Sequence, residues 1–206
     1  MAYEDFFKSK FSQGMMIDSV LKIANKNAGL ETEKNGVCQT MTLLWIIESI
    51  KAGSPSTGFT ELMKHDTGTG VGAAFWTQVC GAQKGIGTAA DAGLTAGSDL
   101  RDAELKLLAG SELGKKISST LKGQGGVPQI EKLSEGGGPY FYFAVRNCWG
   151  KGGGHGIGLY RSGANYSLMD PNEGLATNTS GKFSDLLTAL SGFYGSSSLF
   201  LYEIKS

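Results

Sequence analysis

The 206-residue sequence predicts one α+β domain, in which N-terminal helices pack on a C-terminal antiparallel β-sheet. Three observations lead to this fold class. Apolar residues recur at helical spacing in residues 1–135, and short aromatic and β-branched runs occur in residues 136–206. A Gly-Gly-Gly-Pro run at 136–139 separates the mainly helical part from the mainly β part.

The mainly helical part contains three segments with helical periodicity. Residues 15–28 place apolar side chains on one face, and Gly29 ends this segment. Residues 37–52 are apolar nearly all round, so we expect a largely buried helix that ends at Gly53. Residues 103–121 carry regularly spaced leucines and predict a third helix.

The mainly β part contains four segments that predict the strands of the antiparallel sheet. They are residues 140–145, 156–161, 166–169 and 199–204. Between the last two strands, residues 183–190 predict a short helix. The sequence therefore places its helices first and its sheet afterwards.

The charge composition excludes two classes of partner. The chain has 19 basic and 19 acidic residues, so it has no electrostatic footprint for nucleic acid. It has no cluster of Lys and Arg for an anionic membrane, and no apolar run long enough to cross one. The sequence begins Met-Ala-Tyr-Glu-Asp, which is acidic where a signal peptide is basic. We therefore expect a protein that is cytoplasmic in the producing cell and has no stable membrane insertion.

The cysteines and histidines give no pattern typical of a metal site. Cys38, Cys80 and Cys148 are widely spaced, and an odd number leaves at least one thiol unpaired, as in a reducing compartment. His65 and His155 are the two histidines, so a histidine-based metal site is not expected. His65 is interpreted as a solvated residue, and no metal or cofactor is predicted.

Cys38, His155 and Asp170 form a candidate catalytic triad. Cys38 begins the apolar helix, and the roughly +0.5 charge of a helix N-terminus favours the reactive thiolate. A histidine base activates such a thiol, and a carboxylate on its other ring nitrogen fixes the tautomer. His155 and Asp170 lie 15 positions apart (170 − 155), which suits two antiparallel strands joined by a tight turn.

Each of the three residues also has a structural interpretation. A buried cysteine behaves as a small hydrophobe, and a histidine among glycines is more often structural than catalytic. Asp170-Pro171-Asn172 is a good turn sequence as well. The joint occurrence of all three residues, each in a compatible segment, favours the catalytic interpretation.

In short blocks, the sequence resembles the YopT-type family of papain-like cysteine proteases. The blocks are Gly36-Val37-Cys38, Trp45, His155 and Asp170-Pro171-Asn172-Glu173-Gly174. The resemblance implies a papain-like fold and cleavage of a protein or peptide substrate by Cys38, His155 and Asp170 without a cofactor. It also implies a bacterial effector or toxin that a specialised secretion system delivers to a target cell, where it acts on a specific protein.

The sequence departs from papain at the oxyanion site. Papain-like enzymes stabilise the oxyanion with the cysteine N–H and a polar side chain that precedes it, which is glutamine in papain. Asn35 is the candidate for that side chain here, although a role as helix N-cap fits it equally well.

The run Asn147-Cys148-Trp149-Gly150 is similar to the Asn-x-Trp-Gly run of plant papains, in which the asparagine orients the histidine. It precedes His155 here and follows the histidine there. We therefore interpret Asn147 as a strand-end residue and Trp149 as packing near the site, and retain Asp170 as the orienting group.

Two other function classes remain open on the sequence. A deamidase, a transglutaminase or a peptidoglycan amidase would use the same three residues, because each forms an acyl-cysteine. A catalytically silent binding module could also retain the fold.

Overall fold

The computed structural model describes residues 1–15, 37–65, 75–76, 79, 118–149, 153–177, 182–196 and 198–205. They belong to two compact units. The helical unit comprises Ser12–Ser118 with Ser206, and the sheet unit comprises Met1–Phe11 and Ser119–Lys205. The single domain of residues 1–206 stays a prediction.

The helical unit contains α1 (Cys38–Ala52) and α2 (Pro55–Met63). The helix predicted over residues 37–52 is confirmed as α1, with Val37 as its N-cap residue. Gly53 ends it in the left-handed region, at φ 66°, where glycine lacks the steric penalty of other residues. Most of α1 is buried, as its apolar sequence predicts.

A close approach holds α1 and α2 together. A side chain at Gly58 would place its Cβ 2.5 Å from the Cα of Ser49, so only glycine fits there. The indole N–H of Trp45 also donates to the Pro55 carbonyl oxygen at 3.1 Å. The two helices are thus fixed against each other through the middle and C-terminal half of α1.

The sheet unit is built on seven strands in the order β1-β6-β5-β4-β3-β7-β2. Their bounds are β1 Ser9–Lys10, β2 Ser118–Gly125, β3 Tyr140–Cys148, β4 Gly153–Ser162, β5 Asn165–Asp170, β6 Gly174–Thr177 and β7 Ser198–Lys205. Pairing is antiparallel from β1 through β6, β5, β4 and β3 to β7. The four predicted strands are confirmed as β3, β4, β5 and β7.

Two helices and a short turn of 3₁₀ helix pack on one face of this sheet. They are α3 (Val127–Glu135), α4 (Phe183–Tyr194) and the N-terminal turn Tyr3–Phe6. The helix predicted over residues 183–190 is α4, which continues for one more turn to Tyr194. Buried side chains from the strands and helices form a common core, which includes Phe141, Phe143, Ile157, Leu159, Leu168, Leu186, Leu187 and Leu190.

The helix predicted over residues 103–121 is wrong at its C-terminal end. Residues 118–121 belong to β2, beside β7 at the edge of the sheet. The sequence Ser-Ser-Thr-Leu is rich in residues that compete with helical hydrogen bonds, so a strand is the better local structure. Residues 103–117 lie outside the described residues, as do residues 16–28 of the first predicted helix.

No helix in the described part of the chain is long and apolar enough to cross a membrane.

Candidate active site

His155 and Asp170 lie on the same face of the sheet, at neighbouring strand ends. Alternation along β4 puts His155 on the face of Leu159, near the start of the strand. Leu159 pairs with Leu168 of β5, and the same alternation brings Asp170 to that face at the end of β5. The core face of the sheet therefore ends in a polar pair.

The turn between β4 and β5 sets this register. Ser162 pairs with Asn165, which leaves a two-residue connection. Gly163 has a φ of 60°, a conformation that glycine adopts without the penalty of other residues. The sequence-based expectation of a tight turn between the histidine strand and the aspartate strand is thus confirmed.

A buried hydrogen bond of 2.8 Å joins His155 Nε2 to Asp170 Oδ1. The His155 side chain is 6% exposed, and Asp170 is fully buried at 0%. A buried carboxylate is costly unless hydrogen bonds compensate for the lost water. The structure therefore brings together two of the three predicted catalytic residues.

Asp170 accepts three further hydrogen bonds. The Asn172 backbone N–H donates to Oδ1 at 2.8 Å. The hydroxyl groups of Tyr3 and Tyr194 donate to Oδ2 at 2.9 Å and 2.8 Å. Donors from four parts of the sheet unit thus converge on a single carboxylate.

These contacts determine the charge of Asp170. Burial by itself would raise its pKa, but attraction to His155 and the hydrogen bonds from His155, Asn172 and Tyr194 lower the pKa below its usual value. Asp170 is therefore ionised at neutral pH and can only accept hydrogen bonds. It follows that Nε2 of His155 carries a proton in this hydrogen bond.

The nearby groups respond to that negative charge. Burial and the charge of Asp170 raise the pKa of Tyr3 and of Tyr194, so both phenols stay protonated. Burial, Asp170 and Glu4 also raise the pKa of Glu173, which follows Asn172 in the turn. Asp170 thus remains the ionised acceptor between two neutral phenols.

An aromatic ring packs on the imidazole of His155. The ring of Tyr194 stacks on it, with centroids 4.8 Å apart and planes 28° apart. Trp149 lies 5.3 Å from the Tyr194 ring and is 57% exposed. The contact agrees with the prediction that Trp149 packs near the site.

Trp149 is held by its backbone and its indole group. A register shift between Arg146 and Cys148 ends the regular pairing of β3 with β4. Asn147 and Trp149 both adopt left-handed conformations there, at φ 54° and 53°. The Trp149 backbone N–H donates to the Tyr194 carbonyl oxygen, and its indole N–H donates to that of Phe193.

Cys38 belongs to the helical unit and is the first residue of α1. It is a buried cysteine with 6% exposure. The first N–H groups of a helix have no partner within it, and together they form its positive end. Cys38 thus has the helix position that the sequence predicted.

Sequence reasoning missed Gln13, which lies beside this helix start. The Val37 N–H donates to Gln13 Oε1 at 2.6 Å, and the Gln13 side chain is buried. Gln13 precedes Val37 by 24 positions, so no local motif links it to Cys38. Asn35, the oxyanion candidate from the sequence, lies outside the described residues, as does Cys80.

His65 differs from its sequence-based interpretation. It is partly buried, and its ring stacks on Phe75 with centroids 3.6 Å apart, so it is not simply solvated. The sequence around His65 contains no pattern that predicts its contact with Phe75. Within the described ranges, no group of three or more His, Cys, Asp or Glu side chains could hold a metal ion.

No protein-family model matches this chain, and no curated protein matches it at a significant level. A crystal structure of the Pseudomonas avirulence protein AvrPphB is similar to it, with a TM-score of 0.52 and 16% sequence identity. The match covers 84% of this chain and 94% of AvrPphB. This likeness confirms the predicted papain-like α+β fold.

Proposed function

We propose that the protein is a papain-like cysteine protease of the YopT type, with Cys38, His155 and Asp170 as its catalytic triad. The observation that carries this proposal is the buried hydrogen bond between His155 and the ionised Asp170. A surface histidine needs no such partner, whereas a catalytic imidazole needs a fixed tautomer and orientation. The position of Cys38 at a helix start supports its role as the nucleophile.

The tautomer assigns a task to each nitrogen of His155. Because Nε2 donates its hydrogen to Asp170, the proton exchanged with Cys38 has to move through Nδ1. Nδ1 accepts the thiol proton, which gives a thiolate and an imidazolium. The negative charge of Asp170 stabilises that imidazolium without taking its proton.

The thiolate of Cys38 then attacks the carbonyl carbon of a peptide bond. His155 returns the proton to the leaving amine as the C–N bond breaks, and a thioester remains on Cys38. Water attacks the thioester in the second half, while Nδ1 of His155 accepts a proton from it. The carboxylic acid product leaves, and the proton returns to the thiolate of Cys38.

The carbonyl oxygen becomes negative in each tetrahedral intermediate and needs hydrogen-bond donors. The backbone N–H of Cys38 is the first donor in this proposal. The amide of Gln13 is the second candidate, since its bond to Val37 keeps it beside the residue that precedes Cys38. Asn35 remains the candidate proposed from the sequence.

By this proposal the substrate is a protein, and the protease is a secreted bacterial effector or toxin that acts inside a target cell. The likeness to a Pseudomonas avirulence protein supports an effector. The two alternatives from the sequence are other acyl transfer at Cys38 and a silent binding module. The ionised partner of His155 favours an enzyme over the binding module.

Alkylation by iodoacetamide tests the nucleophile without a known substrate. The rate at Cys38 is measured by mass spectrometry from about pH 5 to pH 9, in the wild type and in His155→Ala. We expect rapid labelling of Cys38 well below the ordinary thiol pKa of about 8.5, and loss of this rapid labelling in the variant. Cys148, which is buried in the sheet unit, and Cys80 are the internal controls.

Equal rates at Cys38 and Cys148 would overturn the proposal of an activated thiol. If labelling is rapid, a library of proteome peptides is then incubated with the wild type and with Cys38→Ala. New peptide N-termini that require Cys38 indicate a protease. Glutamines converted without any cleavage would assign the protein to the other acyl-transfer enzymes.

A further inference from the structure

Two phenols bind the same oxygen of Asp170, and they come from opposite ends of the chain. Tyr3 lies in the N-terminal 3₁₀ turn, and Tyr194 is the last residue of α4. Both hydroxyl groups donate to Oδ2, the oxygen that does not contact His155. The two tyrosines, named the phenol pair here, thus leave Oδ1 to His155 and Asn172.

We propose that Tyr3 and Tyr194 are positioning residues that hold Asp170 in the orientation in which Oδ1 meets His155. The inference rests on the proposed function, because it gives the phenol pair a task in the orientation of the catalytic base. Neither tyrosine belongs to the sequence motifs that identified the triad.

The hydrogen bonds of Asp170 leave the carboxylate little freedom to rotate. An ionised carboxylate has about four lone-pair sites on its two oxygens. Oδ1 takes the N–H groups of His155 and Asn172, and Oδ2 takes the two phenols. Rotation of the carboxylate would break these bonds inside a buried site, where each lost partner is costly.

The direction of the Tyr194 hydroxyl is set by a further hydrogen bond. The Asn172 side-chain N–H donates to the Tyr194 oxygen at 3.2 Å. With Asn172 as its donor, the Tyr194 oxygen can direct its own hydrogen to Asp170. Tyr194 also stacks on His155, so one side chain contacts both members of the His–Asp hydrogen bond.

Tyr3 makes the first eleven residues part of the site. The segment that carries it is attached next to the aspartate turn, because β1 pairs with β6 and the Phe11 N–H donates to the Glu173 carbonyl oxygen. The ring of Tyr3 packs on Phe7 and Tyr194, with centroids 5.0 Å and 6.1 Å away. The N-terminal segment therefore contributes to the chemistry of a residue far downstream.

The charged and titratable groups around Asp170 define the expected pH effect. They are His155 from β4, Tyr3 from the 3₁₀ turn, Tyr194 from α4 and Glu173 from the turn before β6. Glu4 and Lys10 act in turn on Glu173. Removal of a phenol donor destabilises the carboxylate, so Asp170 takes up a proton at higher pH than in the wild type.

The test uses the full chain, labelled with ¹⁵N-histidine, and compares Tyr3→Phe and Tyr194→Phe with Tyr166→Phe. Tyr166 is a buried tyrosine of the sheet unit that packs on Phe183, so its variant removes a phenol away from Asp170. NMR reads the tautomer of His155 and the water exchange of its Nε2 hydrogen, and His155→Ala assigns the signal against His65.

We expect exchange of the Nε2 hydrogen to become about tenfold faster in Tyr3→Phe and in Tyr194→Phe, as the loss of one hydrogen bond of ordinary strength would give. Tyr166→Phe should match the wild type. If both phenol variants also match the wild type, the positioning role is wrong. Should Tyr194→Phe fail to fold, Tyr3→Phe decides the question alone.

Activity provides a second reading. In the pH profile of kcat/KM, the acidic limb should move to higher pH in the phenol variants. Their kcat should fall while KM stays unchanged. A uniform loss at every pH would contradict the positioning role. The NMR measurement needs no substrate. If alkylation shows no activated thiol but the Nε2 hydrogen of His155 exchanges faster in the phenol variants, the protease proposal is rejected and the positioning role is kept.

Discussion

The two units fix their candidate catalytic residues in different ways. In the sheet unit, four donors from separate elements converge on Asp170, and Asp170 in turn holds His155. In the helical unit, Cys38 owes its position to the first turn of α1, and a single described side chain, Gln13, binds the preceding residue. The first arrangement rests on side-chain hydrogen bonds to a carboxylate, and the second on a position at the start of a helix.

The chemistry of the groups explains this difference. A buried carboxylate loses its hydration and needs several donors in return, whereas a thiol packs as a small hydrophobe. The thiol instead needs a positive electrostatic environment, which a helix N-terminus supplies through its backbone. We therefore expect substitutions in the sheet unit to reduce activity and stability together, and substitutions at Cys38 to reduce activity alone.

Cys38→Ala tests the independence of activity from stability and has the largest expected effect. We expect turnover to fall by about 10⁴-fold or more, because no other group replaces the nucleophile. The free energy of unfolding should change by about 1 kcal/mol or less, since little volume is removed. Peptide cleavage and urea unfolding measure the two quantities.

Cys148→Ala is the matched control, because it removes the other buried cysteine among the described residues. It should keep full activity. Undiminished turnover in Cys38→Ala would show that the proposed mechanism is wrong.

Asp170→Asn tests the sheet unit, where both properties should change. Its amide nitrogen would face a hydrogen-bond donor, so we expect a loss of about 1–3 kcal/mol in the free energy of unfolding. Turnover should fall by about 10²- to 10⁴-fold, because the amide neither fixes the tautomer of His155 nor stabilises its charge. The same cleavage and urea measurements apply.

Asn147→Ala accompanies this experiment, because Asn147 lies in the run that is similar to plant papains. A harmless Asp170→Asn together with an inactive Asn147→Ala would transfer the orienting role to Asn147. A stable but inactive Asp170→Asn would remove the contrast between the two units.

Local sequence patterns predicted the elements that carry the candidate triad. A segment that is apolar nearly all round and ends at Gly53 identified α1, and aromatic and β-branched runs identified β3, β4, β5 and β7. The spacing of His155 and Asp170 predicted their two strands, which the structure joins by a tight turn. Each of these features is encoded within about twenty neighbouring residues.

The missed features depend on contacts between distant or weakly patterned segments. Tyr3 is separated from Asp170 by 167 positions, so no local spacing connects them. The strands β1 and β6 have two and four residues, too few for a period to be visible. Gln13 is likewise linked to Cys38 only through the fold, which explains why the sequence favoured Asn35.

In the helical unit, the Gln13 side chain binds the residue that precedes Cys38. Substitution of Gln13 has the smallest expected effect. Gln13→Glu keeps an oxygen that can accept from the Val37 N–H but removes both amide hydrogens. If Gln13 is an oxyanion donor, kcat should fall by about 10²- to 10³-fold. The new carboxylate would be buried, so the free energy of unfolding should fall as well. Gln13→Ala should lose the same activity and, in addition, the anchor of the helix start.

Asn35→Ala completes the comparison as the sequence-based alternative for the same role. Steady-state cleavage and urea unfolding are measured for Gln13→Glu, Gln13→Ala and Asn35→Ala. Together they separate a role in oxyanion binding from a role in anchoring the start of α1. Full kcat in Gln13→Glu, with reduced stability in Gln13→Ala, would leave Gln13 a structural anchor. The first turn of α1 would then remain as the feature of the helical unit that favours the thiolate of Cys38.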